Sequence, residues 1–357
     1  MNLRENVRLA PYTTLELGGP ARYFVECASE SEVRAALAHA AAHELPVFVL
    51  GGGSNVVFAD EGFRGLVLHV AIGRDQGIAF GERDAAAPEI SAGAGADWDT
   101  LVRGAVERGW TGVECLSGIP GSVGGTPIQN VGAYGQEIAE TLVRVTCLDR
   151  ATLERRTFTA RECEFGYRDS RFKRRDRGRY VVLDVTLQLR RDTPPRVRYP
   201  ELRDAVTRAG SLDAAAPADA VRLVRQTVLA LRRSKSMVLD AADPNARSAG
   251  SFFMNPVLSR AAFAELEQRW HSTGGAGAIP SFAAGDAVKV PAAWLVERAG
   301  FVKGYRRGGA GVSGRHALAL VNLGGTSAEL LALAEAIRAG VKGRFGITLE
   351  CEPEVVR

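Results

Sequence analysis

The sequence predicts an α+β protein, and three observations carry that class. Helical and strand-like segments follow one another in no regular βαβ order. The glycine-rich turns depart from the dinucleotide fingerprint: Gly51 and Gly53 are followed by Val56 where G-x-G-x-x-G needs its last glycine, and no P-loop lysine follows. Residues 180–190 alternate, with Val181, Leu183, Val185, Leu187 and Leu189 on one side and Asp184, Thr186, Gln188 and Arg190 on the other, which reads as a strand with one face in water.

In chain order, residues 15–27 read as a strand and 29–45 as a helix begun by Ser29, with Val33 and Leu37 on its apolar face. Residues 46–50 are a short buried strand running into the turn Gly51-Gly52-Gly53-Ser54-Asn55. A second helix, opened by Asp97 and closed at Gly109, leads toward a long glycine-punctuated run at 117–135. The polar, proline-bearing stretch 191–195 is the expected domain boundary. Beyond it lie helices over 217–235, 259–271, 291–299, with Pro291 at the first turn, and 327–342. The glycine- and alanine-rich residues 272–285 read as a flexible surface loop, and no tandem repeat is present.

With 357 residues, 46% of them hydrophobic and 24% charged, the chain can bury a substantial core and build two or three domains. The net charge is only +4, and the basic residues cluster only at 168–179 and 232–235. No basic face with interleaved aromatics is present, so a nucleic-acid partner is not expected, and an anionic small molecule suits the two clusters better. The five cysteines, Cys27, Cys115, Cys147, Cys163 and Cys351, form no C-x-x-C pair, so neither a disulfide framework nor a metal site is expected. Residues 1–11 lack the apolar core of a signal peptide, and no stretch has the roughly 18 apolar residues of a membrane span. A cytoplasmic protein is expected.

The turn at 51–55 reads either as plain strand-ending punctuation or as a phosphate cradle, and Ser54 and Asn55, which can hydrogen-bond a phosphate, favour the second. The run at 117–135 has few side chains bulky enough to keep a ligand from its backbone N–H groups. Ile119, Val123, Ile128, Val131 and Tyr134 are spaced through it as a linker would not require. In Glu164-Phe165-Gly166-Tyr167-Arg168-Asp169-Ser170, Arg168 is by default a surface cation or the partner of Asp169. In Ala249-Gly250-Ser251-Phe252-Phe253, the serine is placed to turn a hydroxyl into an apolar site, although a plain turn with two core phenylalanines fits as well. The acids of Glu350-Cys351-Glu352-Pro353-Glu354 suit a solvated final strand. No H-E-x-x-H or G-x-S-x-G motif offers a better catalytic alternative.

Taken in order, these segments resemble the UDP-N-acetylenolpyruvoylglucosamine reductase (UDP-N-acetylmuramate dehydrogenase) family in its larger, tyrosine-loop subtype. The resemblance rests on Thr14-Leu15-x-Leu-Gly-Gly, the 51–55 turn, Ile119-Pro-Gly-Ser-Val-Gly-Gly-Thr-Pro-Ile-Gln-Asn-Val-Gly-Ala-Tyr-Gly135, Phe165-Gly-Tyr-Arg-Asp-Ser170, Ala249-Gly-Ser-Phe-Phe-x-Asn-Pro256 and Glu352-Pro-Glu-Val355, and it covers about residues 12–355. It implies non-covalent FAD held by a two-subdomain module of the vanillyl-alcohol-oxidase type, an α+β domain for the UDP-sugar, and NADPH as reductant. The domain limits expected are 1–192 for the FAD module, with subdomains of about 1–70 and 71–192, then 193–349 for the substrate domain and 350–357 for a final strand carrying Glu354. A monomer is expected.

By the same resemblance, Gly51, Gly52, Gly53, Ser54, Asn55, Ser117, Ile119, Gly121, Ser122, Gly125, Thr126, Asn130, Gly132, Ala133, Tyr134 and Val182 contact the cofactor. Tyr199, Lys235, Asn255 and Lys289 contact the diphosphate and sugar of UDP-N-acetylglucosamine enolpyruvate, for which two lysines and a phenol are suited donors. Arg168 and Glu354 stabilise the negative charge of the reaction, and Ser251 supplies a proton. The chain ends three residues after Glu354, whereas relatives often continue, so a looser setting of that carboxylate is expected. Two other readings compete: a flavin oxidase of the same superfamily that passes electrons to oxygen, and a nucleotide-binding protein that has kept the fold and lost the chemistry. Retention of Arg168, Ser251 and Glu354 together argues against the second.

Overall fold

In the computed structural model, which describes residues 1–82, 84–212 and 215–357, the chain forms two compact units. The first comprises Met1–Val7, Ala21–Gly53 and Phe63–Val238, and the second Arg8–Pro20, Ser54–Gly62 and Leu239–Arg357. Helices and strands are mixed in both, which is the α+β class expected.

The first unit holds two larger sheets beside a two-stranded ladder of Gly132–Ala133 and Gln136–Glu137. One has the strand order Leu3–Arg8, Pro20–Cys27, Phe63–Val70, Val47–Leu50, with its last three strands parallel. Parallel neighbours need a crossover, and helix Glu30–Ala42 supplies it, its first turn closed by the Ser29 hydroxyl accepting from the Glu32 N–H. The other sheet is antiparallel throughout, in the order Arg155–Thr159, Leu142–Asp149, Tyr180–Gln188, Glu89–Gly93, Ile78–Gly81. Helix Trp98–Glu107 begins where the Asp97 carboxylate accepts from the Thr100 N–H at 2.7 Å and stops before Gly109, whose φ of +72° suits glycine. Its Trp98 is fully buried and donates its indole N–H to the Leu116 carbonyl at 3.1 Å, so this helix positions the start of the glycine run.

Several expectations are corrected. The wet face expected on the strand at 180–190 is present only in part: Gln188 and Arg190 are exposed and Asp184 half-buried, but Thr186 is buried, its hydroxyl meeting that of Ser91 on the neighbouring strand at 2.9 Å. The strand expected over 15–27 covers only Pro20–Cys27, and Leu15 and Leu17 are buried in the core of the second unit instead. The expected boundary after residue 192 falls inside the first unit. Helices Pro200–Ala209 and Pro217–Ser234 stay with it because Leu202, Val206, Val224 and Val228 bury around Cys115, just before the glycine run. The first of these helices escapes a periodicity reading because it buries only two residues, four apart.

In the second unit, Ser248–Ser251 is the edge of a sheet ordered Ser248–Ser251, Ala319–Asn322, Ala310–Val312, Arg306–Arg307. A three-stranded sheet runs Val257–Ser259, Ala287–Lys289, Phe282–Ala284, and Glu354–Val356 pairs in parallel with Val56–Phe58. Helices Arg260–Ser272, Ala292–Arg298 and Ser327–Phe345 pack Trp270, Trp294 and Phe345 together, with Trp270 and Trp294 ring centres 5.0 Å apart. The expected free loop at 272–285 is tied down: Trp270 donates its indole N–H to the Gly277 carbonyl at 3.1 Å, Ile279 is buried, and Phe282–Ala284 is a strand. Among the described residues no helix is long and apolar enough to cross a membrane, and no group of three or more metal-ligating side chains is present.

Four of the five thiols are buried, and burial pushes Cys27 and Cys163 up to about 12 from the ordinary 9.0. A thiol raised in the folded state contributes stability that is complete below pH 9 and is lost as the pH rises toward 12. Unfolding free energy from denaturant titration is therefore expected to fall from about pH 9 upward. At pH 8 a thiol-specific reagent should label the native chain slowly and the unfolded chain at all five cysteines.

Candidate functional site

The two glycine segments meet in the first unit. Strand Val47–Leu50 delivers Gly51, and the Gly52 N–H donates to the Ser122 hydroxyl at 3.2 Å although the two are 70 residues apart. A Cβ on Gly52 would stand 2.6 Å from the Gly121 Cα, and one on Gly51 2.7 Å from the Ser122 Oγ. At Gly52 the obstacle is backbone and only hydrogen fits, whereas at Gly51 it is the Ser122 hydroxyl alone. Further along the run the demand reverses: a Cβ on Gly125 would meet nothing within 4 Å, so that backbone is open.

The run is anchored from beneath. The Gly121 carbonyl accepts from the Trp98 N–H, and the Gly118 N–H donates to Asp99 at 2.6 Å. Asp99 is gripped by Arg225 through two contacts of 2.7 Å. Burial alone would raise the Asp99 carboxyl, but Arg225 and the Gly118 N–H outweigh it and hold the group below the ordinary carboxylate range. Ser117 is fully buried with its hydroxyl on the Glu114 carbonyl, and the Thr126 hydroxyl donates to the Val123 carbonyl. Asn130, at φ +48°, donates both amide hydrogens, to Glu137 at 2.7 Å and the Gly166 carbonyl at 3.0 Å, and accepts from the Ala139 N–H. The Ser117, Thr126 and Asn130 side chains thus shape the run. Ile119 packs at the edge of the main core, and Val182 is buried in the sheet.

Arg168 hangs from the far end of the same run. Gly166 and Asp169 exchange both backbone hydrogen bonds, at 3.0 and 3.2 Å, in a tight turn that holds Arg168 at φ +53°. Its guanidinium donates to the Gly132 carbonyl at 2.7 Å and lies 5.5 Å from the Tyr167 ring centre. Asp169 pairs with Arg174 at 3.2 Å. The Ser170 hydroxyl ties the turn to the Ile128 carbonyl at 2.5 Å. Gly132 and Ala133 form a short strand, and Tyr134 follows in the left-handed region, its phenol pushed up to about 12 by burial.

Tyr134 gathers three residues from the helices after it. The Tyr199 ring stands edge-on at 5.6 Å, the Lys235 ammonium lies 5.9 Å from the Tyr134 ring centre, and Lys235 pairs with Glu201 at 2.6 Å. Beneath them Arg232 is 8% exposed; one of its nitrogens donates to the Met237 carbonyl, while its Nε has no hydrogen-bond partner and stands 3.5 Å from where a Gly118 Cβ would be. A buried, unsatisfied guanidinium N–H calls for an oxygen-bearing partner. Sequence reasoning missed Arg232, Asp99 and Arg225, and the only signal available was the basic cluster at 232–235.

The motif at 51–55 is divided, with Gly51–Gly53 in the first unit and Ser54 and Asn55 in the second. In the second unit Asn55 holds the final strand: its carbonyl accepts from the Glu354 N–H at 3.0 Å and its amide donates to the Glu352 carbonyl at 3.2 Å. The residues after Ser251 join the same strip, Phe252 accepting from the Glu352 N–H and the Met254 N–H donating to Glu350. Ser251, Asn55 and Glu354 are therefore on connected backbone, and Phe252 and Phe253 are core residues. Asn255 accepts from the Ala292 N–H at 2.8 Å, and Lys289 sits in register between Val257 and Phe282. The four expected substrate contacts are thus split, Tyr199 and Lys235 with the glycine run, Asn255 and Lys289 in the second unit.

A family model described as the C-terminal domain of UDP-N-acetylenolpyruvoylglucosamine reductase matches residues 243–356, and one described as an FAD binding domain matches residues 21–154. The UDP-N-acetylenolpyruvoylglucosamine reductase of Thermobifida fusca is 51% identical over 98% of this chain and 97% of its own length. The chain belongs to this reductase family. The corresponding enzyme of Salinispora arenicola is 47% identical over 98% of this chain and 94% of its own. The crystal structure of the enzyme from Thermus caldophilus covers all of both chains at 26% identity with a TM-score of 0.67. The protein is an FAD-binding oxidoreductase, and the meeting of Gly52 with Gly121 and Ser122 lies within the unit that carries the FAD binding match.

Gly52→Ala is expected to push the two glycine segments apart, because its Cβ has no space against the Gly121 backbone. The variant should purify with at most about one tenth of the wild-type flavin per chain while keeping its far-UV circular dichroism, since a Cβ 2.6 Å from the Gly121 Cα forces backbone to move.

Proposed function

We propose that this chain reduces the enolpyruvyl group of UDP-N-acetylglucosamine enolpyruvate to UDP-N-acetylmuramate, with NADPH as reductant and non-covalently bound FAD as the carrier, in peptidoglycan precursor synthesis. It would act as a cytoplasmic monomer. The observation that carries this reading is the joint frame of the first unit, in which the two glycine segments and Arg168 are fixed to one another.

The residues fit the cofactor. Gly125, where a Cβ would meet nothing within 4 Å, leaves backbone open to a ligand, and the Arg232 Nε would offer a donor to an electron-rich oxygen. Bound FAD would supply two-electron chemistry, taking a hydride from NADPH and delivering one to the methylene carbon of the enolpyruvyl ether.

The protein's part concerns the charge and the proton. Addition at the methylene carbon drives negative charge onto the neighbouring carbon and its carboxylate, as an enolate. In this reading the Arg168 guanidinium stabilises that charge, with its turn and the Gly132 carbonyl holding it in one orientation. Glu354 assists as a protonated donor or through a water, and its strand is held by Asn55. The Ser251 hydroxyl gives its proton to the enolate carbon and recovers one from solvent; a weak acid suffices because a carbon base is strong and the hydroxyl is held close.

The test is to mix purified protein with NADPH and the UDP-enolpyruvyl sugar while following NADPH absorbance and product mass. Oxidation of NADPH that depends on the UDP-sugar and yields a product two mass units heavier is expected. Rapid reoxidation of reduced protein in air without the UDP-sugar would instead favour the oxidase reading. Ser251→Ala should slow flavin reoxidation by the substrate about 100-fold or more and leave flavin reduction by NADPH intact. Normal reoxidation in that variant would remove Ser251 from the mechanism.

A further inference from the structure

Among the residues that surround Tyr134, one carries the same sign of charge as the ligand proposed for the site. Lys235 caps the C-terminal end of helix Pro217–Ser234, and Glu201 lies in the first turn of helix Pro200–Ala209, directly after Tyr199. Both carboxylate oxygens of Glu201 stand 2.6 Å from the Lys235 ammonium. The carboxylate also raises the phenols around it: burial and then Glu201 push Tyr199 up, and Glu201 adds to the burial of Tyr134. The cluster therefore brings Lys235 and the buried Arg232, the phenols of Tyr134 and Tyr199, and the Glu201 carboxylate together.

We propose that Glu201 is an internal competitor for the substrate diphosphate: its carboxylate holds the Lys235 ammonium and yields it when a nucleoside diphosphate binds. This rests on the assignment of Lys235 to the diphosphate made above. The side chains of the pair are 30% and 40% exposed, so their mutual attraction is screened and small, and exchange of partners costs little. A lysine ammonium is a compact charge with three donors, and a diphosphate offers it more acceptor oxygens than a carboxylate does. Binding then loses what the Glu201 contact supplied and brings phosphate oxygens beside a carboxylate. Glu201 thus weakens UDP-sugar substrate and UDP-sugar product alike, because both carry the same diphosphate, and it favours product release.

The test uses equilibrium calorimetry of uridine diphosphate with the oxidised, FAD-loaded protein in four forms: wild type, Glu201→Gln, Lys235→Ala and the double variant. Flavin content and circular dichroism establish that each form is folded. Glu201→Gln keeps the shape and removes the charge, so its Kd is expected to fall about threefold or more, and Lys235→Ala should raise Kd. Because the competition runs through the ammonium, Glu201→Gln in the Lys235→Ala background should change Kd by less than about twofold. In turnover, Glu201→Gln should lower KM for the UDP-sugar and the inhibition constant of the product by the same factor. If Lys235→Ala weakens binding while Glu201→Gln leaves it unchanged or weaker, the competition is wrong and the Lys235 assignment stands. If the tightening persists in full without Lys235, Glu201 acts by general repulsion and the competition is likewise wrong. If Lys235→Ala leaves Kd unchanged, Lys235 is not a diphosphate ligand and the inference falls with it.

Discussion

The backbone contact between Gly52 and Gly121 is the constraint on which the first unit's functional features depend. Two chain segments approach so closely that a single Cβ on Gly52 would stand 2.6 Å from the Gly121 Cα. Glycine at 52 removes that obstacle, and Ser122 converts the approach into a hydrogen bond by accepting from the Gly52 N–H. Further along, the run is held by its own contacts, Asn130 on Glu137 and the Gly166 carbonyl and Gly132 on the Arg168 guanidinium. The run is thus a folded strap fixed at both ends and open at Gly125.

What keeps the strap in place is mainly polar. Asp99, gripped twice by Arg225, accepts from the Gly118 N–H, and the Trp98 backbone and indole N–H groups donate to Gly121 and Leu116. A carboxylate partly removed from water is stabilised only when its lone pairs are satisfied, and Asp99 meets that condition through one guanidinium and one amide. Arg232 is the contrasting case, a buried cation whose Nε is left without a partner. Satisfied charges here set shape. In the second unit the logic is that of a sheet: Asn55 and the strip 350–354 hold Glu354 by backbone pairing, so the carboxylate is placed by strand register.

The legibility of individual residues followed how local their causes are. Helix starts at Ser29 and Asp97 were readable because an N-cap needs only a side chain and an amide three residues on. Thr186 was misread as part of a wet face because alternation reports one covered side and says nothing of what covers the other. Asn130 was readable as part of the run but not as its internal staple, since its partners, Glu137 and Gly166, are chosen by the fold. The helix at 200–209 was missed because few apolar residues hold it, Leu202 and Val206 packing on the distant Cys115, and the loop at 272–285 was expected to be free although Ile279 is buried and the Trp270 indole binds the Gly277 carbonyl.

The sequence by itself determined the α+β class, the family, and the identity of the glycine and catalytic motifs, because these are written as contiguous residue types whose order needs no folding to be read. The tertiary structure alone decided that Gly52 meets Gly121, that residues 193–238 belong with the glycine run, that Asn55 clasps the strand of Glu354, and that Lys235 is held by Glu201. Each of these joins residues tens to hundreds of positions apart. Such pairings are fixed by burial and hydrogen-bond satisfaction across the whole chain, which no local pattern encodes.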